Sequence, residues 1–174
     1  NGGAVYCRTQ SNAEFYNCDF INNTANGSAG AIYYEQKNPV ILHGCRFTDN
    51  AAYDFAGAIM CSKACVVEVN DANFAGNQAY YAGAVYISED CNGSIRDSKM
   101  TANAADEDGG AVYVVEANEF VIADCNIADN TALRGGGIFA LESPKLAISG
   151  CEIQRNEAYR SVSYQTDPND PNTA

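Results

Sequence analysis

Apolar and polar positions alternate along this chain in short runs. Val5 and Cys7, Ile32 and Tyr34, and Val112 and Val114 are each separated by one residue. Val40 and Leu42, Phe120 and Ile122, and Leu146 and Ile148 repeat the habit in a second segment. Alternation with a period of two, broken by Gly, Asn and Asp, predicts short strands. No stretch carries the longer periodicity of a helix. The alternation is itself repeated. A Gly-Ala(Gly)-aliphatic phrase starts at Gly3, Gly30, Gly57, Gly83, Gly110 and Gly136, at intervals of 27, 27, 26, 27 and 26 residues. A second phrase keeps the same clock. It reads Cys18-Asp19-Phe20 with Asn23, Cys45-Arg46-Phe47 with Asn50, and Ala72-Asn73-Phe74 with Asn77. It continues as Ser98-Lys99-Met100 with Asn103, Cys125-Asn126-Ile127 with Asn130, and Cys151-Glu152-Ile153 with Asn156. Two phrases on one period mark stacked repeats.

Three strand phrases per repeat, always in the same order, pair most simply with their own copies in the next repeat. That arrangement is an all-β, right-handed parallel β-helix of about six rungs, each rising about 4.8 Å. The repeat domain is expected over residues 1–165, open at its N-terminal end, and a polar Pro/Asp/Asn tail or linker over 166–174. The coil is expected to stop near Arg160–Tyr164, where the corner glycines are missing. Like residues then form columns. Val5, Ile32, Ile59, Val85, Val112 and Ile138 make an aliphatic one. Phe20, Phe47, Phe74, Met100, Ile127 and Ile153 make a second. The asparagines make a turn ladder whose amides bond along the stack and to turn backbone. The repeated glycines sit where a Cβ would clash at a tight corner.

Charge narrows the possible partners. Ten Lys and Arg against 22 Asp and Glu give a formal net charge of −12, with the basic residues scattered. Nucleic acid and anionic membrane both require clustered cations, so neither fits. No apolar run approaches the roughly 20 residues that span a bilayer.

Several features bear on chemistry. Tyr6, Tyr33, Met60, Tyr86, Tyr113 and Phe139 lie one residue from the inward aliphatic column, so alternation points them outward. They form either an exposed stack that holds a sugar or partner, or side-chain stacking that clamps rungs or packs under a loop. Cys18 with Cys45 and Cys125 with Cys151 are neighbours on adjacent rungs, expected as reduced, apolar fillers, because parallel strands hold Cβ atoms slightly too far apart for a relaxed bridge. Cys65 with Cys91, or Cys61 with Cys65, is the better disulfide candidate, since loop backbone adjusts. The only histidine is His43, and no cysteines have zinc spacing. Asn22, Asn26 and Asn92 head N-x-S/T sequons and are glycosylation candidates in a secreted eukaryotic protein. Asp71, Asp97 and Asp124 form one acidic column, and Glu89, Glu116 and Glu142 another. Such columns are solvated charge, a calcium-bridged stack, or the acids of a carbohydrate-active β-helix. No catalytic, cofactor or metal residue is assigned, and no long loop encloses either column.

The GGA[IV] phrase followed by FxxN resembles the repeat of the chlamydial polymorphic outer-membrane proteins. It stands here as Gly2-Gly3-Ala4-Val5 with Phe20-Ile21-Asn22-Asn23, as Ala29-Gly30-Ala31-Ile32 with Phe47-Thr48-Asp49-Asn50, and as Ala56-Gly57-Ala58-Ile59 with Phe74-Ala75-Gly76-Asn77. Later copies keep the Asn but replace Phe by Met100, Ile127 and Ile153. The likeness covers about residues 1–158. It implies a β-helical stalk or passenger displayed at the cell surface, which mediates adhesion or builds a filament. The expected partners are further coils end to end, glycans or other surface proteins. A polysaccharide lyase or glycoside hydrolase is the alternative.

Overall fold

The computed structural model describes residues 1–159. The expected end of the coil near Arg160 and the 166–174 tail lie outside the described residues. The described chain winds as a parallel β-helix of six turns, with strands in four six-stranded sheets. The first sheet contains Val5–Arg8, Ile32–Glu35, Ile59–Ser62, Val85–Ile87, Val112–Val115 and Ile138–Leu141. The second runs from Glu14–Tyr16 through Pro39–His43, Val66–Asn70, Asn92–Arg96 and Glu119–Ala123 to Leu146–Ser149. The third begins at Asp19–Ile21 and ends at Glu152–Gln154. Every strand pairs in parallel with its copy one turn away. Val5 faces Ile32, Ile32 faces Ile59, Ile59 faces Val85, Val85 faces Val112, and Val112 faces Ile138.

A fourth sheet adds to the three expected. Its strands are two residues each: Thr24–Ala25, Ala51–Ala52, Gln78–Ala79, Ala104–Ala105, Thr131–Ala132 and Glu157–Ala158. Two residues are too few for alternation to register, which is why the sequence pattern does not show them.

The predicted columns fill the interior. Phe20, Phe47 and Phe74 stack with ring centroids 4.9 Å apart and planes within 8°. The asparagine ladder is buried and closed. The backbone N–H and side-chain Nδ2 of Asn50 both donate to Oδ1 of Asn77, at 3.1 and 2.9 Å, and Nδ2 also donates to the Phe20 carbonyl. Asn77 repeats this with Asn103 and the Phe47 carbonyl, and Asn103 with Asn130 and the Phe74 carbonyl. A fully buried amide is stable only when its donors and acceptor are used, and here they are.

The corner glycines answer a backbone approach. A Cβ on Gly83 would lie 2.0 Å from the Gly110 carbonyl oxygen and 2.6 Å from the Ala104 nitrogen. These are main-chain atoms of the neighbouring turn, so no side-chain rotation relieves the clash.

Candidate functional site

The outward aromatic column of the first sheet leaves the coil, but apart from Tyr6 at its end it is not an exposed stack. Tyr33 is only 7% accessible, and Met60 and Tyr113 are as well hidden. Phe55 and Tyr81, from the corner between the fourth and first sheets, fold over them. Phe55 packs on Tyr86 with centroids 5.0 Å apart, and Tyr81 meets Tyr113 at 6.1 Å. Arg134 closes the upper end. It forms a two-pronged pair with buried Asp108, at 2.7 and 2.8 Å, and lies 5.3 Å from the Phe139 ring centre. At the other end the Glu35 carboxylate accepts bonds from Lys63 and the Tyr6 hydroxyl, with Arg8 at 3.7 Å. These bonds, Lys63 first, hold its pKa below the ordinary glutamate value. The alternative of a clamp packed under a loop is the arrangement found. The sequence pattern showed the direction of these side chains, not the cover, because Phe55 and Tyr81 belong to a corner with little repetition.

Both acidic columns occupy corners. Asp71, Asp97 and Asp124 have φ of 51°, 49° and 53°, and Asn17, Gly44 and Gly150 share that conformation at the equivalent corners. Glu89, Glu116 and Glu142 have φ of 53°, 51° and 48° at another corner. Left-handed backbone favours Gly, Asn and Asp, so the aspartate column has a conformational cause. All six acids are exposed. Among the described residues, no group of three or more His, Cys, Asp or Glu side chains is placed to hold a metal ion.

The cysteines extend the hydrogen bonding of the coil. The Cys125 N–H donates to Sγ of Cys151 at 3.4 Å, and the Cys125 thiol donates to the Ala123 carbonyl at 3.1 Å. Ser98 occupies the same column and does the same with its hydroxyl: it accepts from the Ala72 N–H and donates to the Arg96 carbonyl. Cys65 and Cys91 are buried register neighbours, and the Cys65 N–H donates to Sγ of Cys91 at 3.3 Å. Cys61 lies in the interior between Tyr34 and Ile87. All eight cysteines are unbridged thiols in this structure. Burial raises the pKa of Cys7 and Cys61, and that of Cys125 to about 11. Of the sequons, Asn22 and Asn26 are exposed, while Asn92 is half-buried within its strand.

Outward positions change from turn to turn on more than one sheet; the second sheet, for one, carries Glu14, Ile41, Glu68, Ser94, Val121 and Ala147 in a single outward register column. The outer side of the fourth sheet is a groove of about 720 Å³, floored by Ala51, Gln78 and Ala104. Its wall includes Tyr53, Tyr80 and Asp106. They stand just after the short strand, at a position that reads Asn26, Tyr53, Tyr80, Asp106, Leu133 and Tyr159 along the coil. Tyr53 is 77% exposed and Tyr80 42%. Tyr80 is fixed edge-on against Tyr81, at 4.8 Å, and donates its hydroxyl to Glu107 at 3.2 Å. Tyr159 reaches back two turns, its hydroxyl donating to the carbonyls of Ala105 and Asp106. Asp54 and Asp106 also line the groove, and among the described residues no lysine or arginine does. Sequence reasoning passed over these residues because it looked for columns of like residues, and this column is unlike.

Comparison with known proteins agrees with the architecture. Residues 17–35 match the Chlamydia polymorphic membrane protein repeat, the span from Cys18 through the second first-sheet strand. No curated protein matches the chain. No solved structure matches it. Residues 57–172, two thirds of the chain, match the right handed beta helix region. With parallel sheets stacked turn upon turn over six windings, the chain belongs to the right-handed β-helix family.

Proposed function

We propose that this chain is an extracellular structural and adhesive module, a β-helical segment of a larger cell-surface or filament-forming protein. One observation carries the reading. The residues that repeat are consumed by stacking, as buried ladders and corner conformations, while outward positions vary, and on the fourth sheet they border an open groove. Such a division suits a rod that holds a recognition face at a distance from its anchor. The match to the polymorphic membrane protein repeat supports a place at the cell surface. The partners proposed are further coils joined end to end and surface molecules met by the groove.

The test is display. Beads coated with the domain should adhere to a surface that binds them specifically, and the domain should cleave no member of a polysaccharide panel. Turnover by the wild type that is abolished in Asp97→Ala would replace this reading with a carbohydrate-active one.

A further inference from the structure

We infer that the fourth-sheet groove binds an uncharged glycan, with one sugar ring on Tyr80 and the next on Tyr53. This deepens the adhesive reading and rests on it. The argument begins with the rings. Equivalent aromatics elsewhere in the coil meet one another: Phe20 on Phe47, Tyr6 on Tyr33, and Phe55 on Tyr81. Tyr53 and Tyr80 also occupy equivalent positions, yet Tyr80 turns to Tyr81 and Tyr53 projects into solvent. Two exposed tyrosines on adjacent turns of one groove, rather than scattered singly, offer neighbouring ring faces that a partner can cover.

Tyr80 is also prepared for a ligand. Its edge-on contact and its bond to Glu107 hold the ring, which lowers the entropy lost when a sugar face packs on it. The floor beneath is made of the Ala51 and Ala104 methyls and the Gln78 amide, which leave room for a flat ring. Planar acceptors stand beside it. Asp54 and Asp106 are exposed and make no side-chain hydrogen bond or ion pair among the described residues, so their oxygens are free to accept sugar hydroxyls. The same carboxylates, with Glu107 alongside and no cation among the described lining residues, repel uronates, sulfated sugars and phosphates. Between a cation and a neutral ligand, the two adjacent ring faces and the uncharged floor favour a neutral glycan with an apolar ring face and several hydroxyls.

Isotope-labelled domain titrated with cellohexaose, maltohexaose and chitotriose, followed by backbone amide shifts, tests this. Polygalacturonate and a decalysine peptide are the competing ligands. The expected result is saturable binding of at least one neutral oligosaccharide, with shifts confined to residues near 51–54, 78–81 and 104–107. Tyr53→Ala should weaken it about tenfold at unchanged thermal midpoint, and Tyr80→Phe should weaken it by less, since the ring face remains while the Glu107 bond that holds it is lost. Binding of decalysine alone would make the groove a cation site and overturn the proposal. So would binding of polygalacturonate alone, binding unaffected by Tyr53→Ala, or no binding of any probe. If coated beads still adhere in those cases, the adhesive reading stands and only the ligand assignment falls.

Discussion

Two columns three residues apart behave as opposites. The asparagines at 23, 50, 77, 103, 130 and 156 are the same residue at every turn, and the four central ones are fully buried. The positions at 26, 53, 80, 106, 133 and 159 hold four different residue types, and Tyr53, Tyr80, Asp106 and Tyr159 are exposed. The first column cannot vary, because each amide supplies the acceptor that the turn below requires. The second has no such ladder to complete. In a solenoid, repetition therefore records packing, and departure from repetition on an open face is where recognition has room to evolve.

Mutations that cross from one column to the other should show that contrast in graded form. The largest effect belongs to Gly83→Ala. Its Cβ has main-chain atoms at 2.0 Å, so the turn must move, and the loss should exceed about 4 kcal/mol in denaturant unfolding. A soluble variant with a wild-type midpoint would refute the corner argument. Next is Asn77→Ala, which strands the Asn50 donors and the Phe47 carbonyl at zero accessibility. Unsatisfied buried groups cost about 1–3 kcal/mol each, so a loss of about 4 kcal/mol is expected. Asn26→Ala, on the open column, should lie within about 0.5 kcal/mol of wild type in the same assay.

The covered outer face responds to pH. Because Lys63 and Tyr6 favour the Glu35 carboxylate, its folded pKa lies below the unfolded one, near 4.3. Its stabilisation is complete above that unfolded value and is lost as pH falls through the folded one. Glu35→Gln should flatten the acid limb of the stability profile below about pH 4.3 and, because the same carboxylate raises the pKa of Lys63 and Tyr6, also change the alkaline limb around pH 10 and above. An acid limb identical to wild type would remove Glu35 from that clamp. The smallest energetic change concerns the thiols. Alkylation in denaturant without reductant should add to all eight cysteines. Six adducts, with Cys65 and Cys91 protected, would instead establish the bridge that their adjacency allows.

Legibility followed the same division. The pairing of Val85 with Val112, the phenylalanine stack and the asparagine ladder were all readable from spacing, since each requires only that copies lie over copies. The outward aromatic column was readable as to direction, but its cover was not. Phe55, Tyr81, Asp108 and Arg134 reach it from a corner whose residues change at each turn. The groove was missed for a related reason. Its two-residue strands carry no alternation, and Tyr53 and Tyr80 gain meaning only from where Tyr81 and Glu107 hold them.

By itself the sequence determined the winding: strand order, register, the glycine corners and the interior columns. A period of 26–27 residues brings like residues into contact, and like residues stack with few voids. Only the tertiary structure decided which outward side chains are sealed and which are open. That depends on how non-repeating corner residues fold against neighbouring turns, and such contacts join unlike positions that no periodicity can announce.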